Sequence, residues 1–280
     1  MDKGVPSIMR SKTQLILTVP PADSRAASRL GLPLAHTAYR VGGGPHLFRA
    51  NMPVAVRGGL MVIDDAGFDG LGQALPFCHE VMRECSARGF DGVICSFRSR
   101  PLTVLGQIVS QLGELMHKRG WPLYVPEAYA RFSDTARVLI PTALSGGSLR
   151  QRLSEAAAEY GPGRVALDVE LVRQDFFLPS PTGQGVPMTG EELEKKMEEL
   201  SPSVFFSNEL CAHYFTYMSP KTGAHFILFD DAGSIRKKLQ LARSLDIGYA
   251  VLSYPDTSDL LLQILAWPPP AACLPTRPMV

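Results

Sequence analysis

A set of charged side chains stands at or just behind the C-terminal ends of short apolar runs: Asp64 and Asp65, Arg98 and Arg100, Glu127, and Asp168 with Glu170. Tyr254 adds a ring just past the last such run. Period-two alternation puts Ala166, Asp168 and Glu170 on one face of their run and Val165, Leu167, Val169 and Leu171 on the other. The apolar face belongs against a packing layer, so the two carboxylates are expected to point the opposite way, into an interior. Buried carboxylates are costly unless paired, and Arg98 is the available cation. Two arrangements follow: a neutralised plug of ion pairs, or an open site whose charges await a ligand. A hydrolytic site would require Glu127, Asp168 or Glu170 as an acid of raised pKa, whereas a guanidinium close by lowers a carboxylate's pKa.

Other chemistry is sparse. The five cysteines, Cys78, Cys85, Cys95, Cys211 and Cys273, contain no C-x-x-C pair, and the six histidines contain no H-x-x-x-H pair. No metal site and no cofactor are therefore expected, and reduced thiols are the default. Gly42-Gly43-Gly44-Pro45 lacks the G-K-[ST] that completes a phosphate loop and reads as a turn. Tyr214, Phe215, Tyr217 and Phe226 offer rings able to stack on a sugar, a role that competes with simple core packing. Lys237-Lys238 and Glu194-Lys195-Lys196 read as solvated helix faces.

Composition narrows the partners. Twenty-eight Lys+Arg against 27 Asp+Glu leave a net charge of +1, without the basic excess that tracks a polyanion, so nucleic acid is not an expected partner. A 45% apolar share over 280 residues fills a sizeable core. The apolar stretch 15–19 that follows Lys3, Arg10 and Lys12 is too short for a signal-peptide core or a membrane span. The expected location is therefore the cytoplasm.

The elements that must hold the charged residues alternate between short β-branched runs and amphipathic helical patterns, the rhythm of βα units around a parallel sheet. Strands are expected at 14–19, weakly at 46–51, and at 59–64, 90–97, 122–126, 137–141, 164–171 and 248–253. Eight parallel strands close a barrel, so the expected fold class is α/β, a (β/α)8 TIM barrel over 13–266. An N-terminal extension, 1–12, precedes it, and a proline-rich tail, 267–280, follows. Leu105, Ile108, Val109, Leu112, Leu115 and Met116 form one helix face stopped by Gly120. Ser148 with Gln151 reads as a capping box, and Ile235, Leu239, Ala242 and Leu245 form a stripe before the last strand. Residues 172–229 form an insertion that a minimal barrel does not need: a Pro/Gly-rich loop, a helix capped by Thr189 with Glu192, and strands at 213–217 and 225–229 around a hairpin loop.

Three segments together resemble glycoside hydrolase family 18, in particular its branch of bacterial spore-cortex and cell-wall hydrolases. They are Arg88-Gly89-Phe90-Asp91-Gly92-Val93 at the fourth strand, Tyr214-Phe215-Thr216-Tyr217 through Phe229-Asp230-Asp231-Ala232-Gly233-Ser234-Ile235 before the last helix, and Leu245-Asp246-Ile247-Gly248-Tyr249-Ala250 at the eighth strand. The family's fourth strand reads D-G-x-D-x-D-x-E, its last Glu protonating the glycosidic oxygen and the preceding Asp orienting the substrate's N-acetyl nucleophile. In that register this chain has Ile94 and Ser96 for the later aspartates and Arg98 for the acid. A guanidinium has no proton to give at useful pH. The family's sixth-strand Tyr, seventh-strand G-x-P-x-Y-G and eighth-strand Trp are absent too, from Val138–Thr142, Asp168–Arg173 and Ser253.

The resemblance implies the family's scaffold with its active site rewritten. The expected function is a non-catalytic homologue that binds a chitin- or peptidoglycan-type glycan, associated with the cell envelope or spore of a bacterium. Asp64, Arg98, Arg100, Glu127, Asp168, Glu170 and Tyr254 are its expected ligand-binding residues. The alternatives are an active hydrolase with relocated carboxylates (Glu127, Asp168, Glu170), and a structural or assembly barrel that meets a protein partner through the insertion lobe or the tail.

Overall fold

The computed structural model describes residues 13–50, 56–179 and 183–266; the expected extension, tail and Asn51 lie outside them. The chain runs β1 (Gln14–Val19), α1 (Ser24–Ala27), β2 (Leu34–Gly42), β3 (His46–Arg49), β4 (Leu60–Asp64), α2 (Ala74–Arg88), β5 (Gly92–Ser96) and α3 (Thr103–Arg119). It continues through β6 (Leu123–Pro126), β7 (Arg137–Pro141), α4 (Leu149–Tyr160) and β8 (Val165–Val169). After β8 come β9 (Arg173–Leu178), β10 (Val186–Pro187), α5 (Gly190–Leu200), β11 (Phe205–Ser207), β12 (Ala212–Ser219) and β13 (Gly223–Phe229). The chain then returns through α6 (Ala232–Ser244), β14 (Tyr249–Ser253), α7 (Tyr254–Thr257) and α8 (Leu261–Leu265).

Strands β1, β2, β4, β5, β6, β7, β8 and β14 are parallel, and the β1–β2 and β1–β14 pairings close them into the expected eight-stranded barrel. Alternation sorts their side chains into two cores. Ile16, Leu60, Val62, Ile94, Leu139, Ala166 and Val251 fill the barrel, while Val165, Leu167 and Val169 face outward to pack with Leu149, Leu153, Ile235 and Ala242 of the surrounding helices. At the N-terminal end Arg137 closes the floor. Its guanidinium donates to Tyr124 Oη (2.6 Å) and Tyr249 Oη (2.9 Å) and lies over the Tyr249 ring, 3.7 Å from its centroid.

One strand departs from expectation. The second barrel strand is β2, at Leu34–Gly42, and 46–49 is instead an antiparallel flap paired with Tyr39–Gly42. The register of β2 against β4 shifts between His36 and Tyr39, so the strand breaks the two-residue period by which strands are recognised. Gly42 permits the tight return, since a Cβ there would sit 2.0 Å from the Phe48 ring. Carboxylates of α2 pin the flap: Glu80 accepts the Leu47 N–H (2.8 Å), and Glu84 accepts from Arg49 (2.7 Å) and the Tyr39 hydroxyl (2.9 Å).

The insertion is a five-stranded antiparallel sheet, β10-β9-β13-β12-β11, rather than a single hairpin. α5 opens with the expected Thr189–Glu192 capping box. At α4 only half of the expected box forms: the Ser148 hydroxyl accepts the Gln151 N–H (3.4 Å), but the Gln151 side chain turns to Glu155. One face of the lobe sheet packs on α5 through Phe215, Ile227, Phe229 and Leu193. Where the lobe rejoins the barrel, Lys238 is fully buried, contrary to its reading as a solvated residue. Its Nζ donates to Asp230 Oδ2 (2.6 Å), which also accepts the Val172 N–H (2.9 Å), while Asp230 Oδ1 accepts from Ser234 Oγ (2.6 Å).

Candidate functional site at the barrel mouth

The strands deliver their C-terminal residues to one end of the barrel. A cavity of about 570 Å3 opens there, lined by Thr37, Val62, Asp64, Ser96, Arg98 and Ser99 among others. Asp65, the neighbour of Asp64, is buried and shapes the exit of β5: its Oδ1 accepts the Arg98 N–H (2.9 Å) and its Oδ2 the Ser99 N–H (3.0 Å). The backbone of Arg98 is thus held while its side chain reaches solvent.

Asp168 points inward as its alternation requires. Burial raises its pKa most, the charge of Glu170 raises it further, and Arg98 opposes both, leaving it near 6. Of the two arrangements open to these charges, the ion-pair plug does not form: among the described residues the Arg98 guanidinium makes no salt bridge with Asp168 or Glu170. Its exposure explains this, since a solvated guanidinium gains little from fixing one geometry. Glu170 lies beyond the end of β8 and is exposed.

The other expected site residues are dispersed. Glu127 is ion-paired with Arg152 of α4. Arg100 is exposed, and its carbonyl accepts from the Tyr129 hydroxyl (3.4 Å). Tyr254 packs against the core between barrel and helices. Asp64 and Arg98 thus share the mouth cavity, and the charges of Arg98 and Glu170 act on Asp168, while Glu127, Arg100 and Tyr254 have other surroundings.

Beside the mouth the lobe presents rings that the sequence placed on one hairpin without separating its faces. Tyr214 and Phe226 share a face, while Phe215 and Tyr217 turn to the other, toward α5. On the first face Phe176, Phe226, Tyr214 and Phe205 form a ladder with successive centroid separations of 5.9, 5.3 and 5.7 Å. Exposure rises along it from 5% at Phe176 to 54% at Phe205. This face abuts the loop after β7, where Ala143 packs against its apolar cluster and Gln174 shares a small cavity with Ala143–Ser145. The signal for the ladder lies in register, which pairs Phe176 with Phe226 and Phe205 with Tyr214, and no single run reveals it.

No family model matches the sequence. The barrel with its antiparallel lobe superposes on several solved structures. The spore cortex-lytic enzyme SleL of Bacillus megaterium QM B1551 is 14% identical, with 89% of this chain and 72% of that chain covered at a TM-score of 0.62. A chitinase from Chromobacterium violaceum is 12% identical over 91% of this chain and all of the other, at 0.66. The chain shares the fold of these proteins. Human YKL-39, described as a pseudo-chitinase with retained chitooligosaccharide binding, shares this fold at 12% identity, with 90% of this chain and 96% of that chain covered and a TM-score of 0.61. At these identities the likeness concerns the scaffold alone, and it bears out the expected α/β barrel. Among the described residues no helix is long and apolar enough to cross a membrane.

Proposed function

We propose that this protein binds a chitin- or peptidoglycan-type glycan along the barrel mouth and the lobe's aromatic ladder, and that it does not hydrolyse it. The observation that carries this reading is the ladder, Phe176–Phe226–Tyr214–Phe205, whose face abuts the loop after β7 at the mouth end of the barrel. Ring faces of this kind stack on the C–H faces of sugars, while Asp64 and Arg98 supply polar groups to fix hydroxyl or amide orientation. Loss of hydrolysis follows from the aligned register, in which Arg98 replaces the acid and Ile94, an interior apolar residue, replaces a carboxylate. The retained oligosaccharide binding of YKL-39 on the same fold supports a binding role without turnover. Calorimetric titration with N-acetylchitohexaose and with muropeptide glycans tests it. Binding that weakens about tenfold in Tyr214→Ala, with the circular dichroism unchanged, is expected; no binding of either glycan overturns the proposal. Association with a spore or cell envelope is the setting in which such a binder would act, and co-sedimentation with purified peptidoglycan sacculi tests that part.

A second reading, a hydrolase with relocated carboxylates, is favoured by one observation: Asp168 has a pKa raised to about 6, in the range of a general acid. Turnover abolished by Asp168→Asn, with folding intact, would establish it.

A further inference from the structure

On the lobe face opposite the ladder, two residues of the β12–β13 hairpin and one of β9, fifty positions from His225, form a hydrogen-bonded chain. Asp175 Oδ1 meets His225 Nδ1 at 2.9 Å, and His225 Nε2 meets Thr222 Oγ1 at 2.6 Å. The proton positions are dictated by the partners. Asp175 Oδ2 accepts from the Tyr217 hydroxyl (3.2 Å), and Lys196 Nζ, which donates to that hydroxyl (2.6 Å), lies 3.4 Å from the same oxygen. A carboxylate so engaged acts as acceptor on both oxygens, so His225 carries a proton on Nδ1, and in the neutral imidazole Nε2 then presents a lone pair. The Thr222 hydroxyl donates to that nitrogen in this form. The ring is held by Tyr217, stacked at 4.5 Å, and by Phe177, also at 4.5 Å. Asp175 and His225 are buried, while Thr222 is exposed at the tip of the β12–β13 hairpin.

The geometry points to a nucleophilic site: Thr222 as nucleophile, His225 as general base and Asp175 as the group that orients it, acting on carboxylic esters. A nucleophile within reach of a base that is itself oriented by a third group is the arrangement that activates hydroxyls. Thr222 Oγ1 bonds to the ester carbonyl carbon as its proton passes to His225 Nε2. Collapse of the tetrahedral adduct breaks the carbon–oxygen bond to the alcohol, which leaves with that proton. Water then adds to the acyl-threonine by the same route, releasing the carboxylic acid and restoring the hydroxyl. The N–H groups of Lys221 and Thr222 both donate to Ser219 Oγ, at 3.4 and 3.3 Å, which fixes the turn that carries the Thr222 hydroxyl. The site is open at a hairpin tip, so small, unhindered esters are the substrate class. None of this depends on glycan binding at the mouth.

The test is acylation of the full chain by p-nitrophenyl acetate, followed by released p-nitrophenol and by mass spectrometry of the Thr222 peptide between pH 5 and 8.5. A stoichiometric acetyl group on Thr222 is expected. It should be absent in Thr222→Val, retained in Thr222→Ser, and at least a hundredfold slower to form in His225→Gln. The Thr222 variants change only an exposed tip residue, so they decide the matter if His225→Gln fails to fold. Absence of the adduct in the parent chain, or release of p-nitrophenol undiminished in Thr222→Val, overturns the assignment, and the network is then a brace for the hairpin.

Discussion

Asp168 is the residue at the mouth whose environment is least compensated. Its carboxyl is pushed up to about 6 from 3.8, chiefly by burial and then by Glu170, with Arg98 only partly opposing. Because the folded state holds this proton more tightly than the unfolded chain, stability is lost as pH rises from about 4 to about 6 and is then level with respect to this group. Asp168→Asn should therefore raise stability at pH 7.5 by roughly 1–3 kcal/mol and change it little at pH 3.5, as read from urea midpoints at the two values. Arg98→Ala should cost less than about 0.5 kcal/mol, the range of plain surface substitutions, because its side chain is exposed and makes no ion pair with Asp168 or Glu170; a loss of several kcal/mol in denaturant titration would mean that a plug forms in solution. The inward direction of Asp168 was legible from alternation alone. The state of Arg98 was not, because a strand's period fixes which face a residue leaves from and says nothing of where a long side chain ends beyond the strand.

Among the elements, those with an unbroken period were legible: α3 and the outward face of β8 follow their patterns residue by residue. β2 was hidden by the register shift between His36 and Tyr39, and the four-residue β3, with its apolar pattern, stood in its place. Lys238 was misread for a different reason: its partner, Asp230, lies before the helix and faces it only once α6 has formed. The result is a buried pair whose carboxylate also accepts the Val172 N–H, tying both ends of the lobe to the barrel. Lys196 repeats the lesson on α5, where Tyr217 and Asp175 come from two different strands. Lys238→Ala should cost about 3–5 kcal/mol, since it strands Asp230 in the core. Lys238→Met combined with Asp230→Leu should recover part of that loss in thermal unfolding, though the Val172 N–H then lacks its acceptor.

At the scale of the whole molecule, a barrel stoppered at its floor by Arg137, Tyr124 and Tyr249 leaves the opposite end as its open concavity. The lobe sheet stands beside that end and shows it a different chemistry from the one it turns toward α5: aromatic ladder on one face, hydrogen-bonded His225 network on the other. The scaffold and the reacting groups are thus separable, and this bears on what a single substitution can restore. Arg98→Glu would place a carboxylic acid at the position that the proposed family 18 register gives to the proton donor. It would stand on a strand whose preceding positions are Ile94, packed in the barrel, and Ser96. Neither can orient an N-acetyl group, and Leu139 and Ile140 on β7 offer no hydroxyl in place of a tyrosine. A proton donor without a positioned nucleophile forfeits the orientation that makes an intramolecular attack fast. Arg98→Glu should accordingly leave N-acetylchitohexaose uncleaved over a day, with no new reducing ends beyond buffer, while its affinity for the oligosaccharide changes only through the charge at the mouth. Cleavage by this single variant would mean that Asp168 or Glu170 already supplies the missing carboxylate, and the relocated-carboxylate hydrolase would become the better description of the protein.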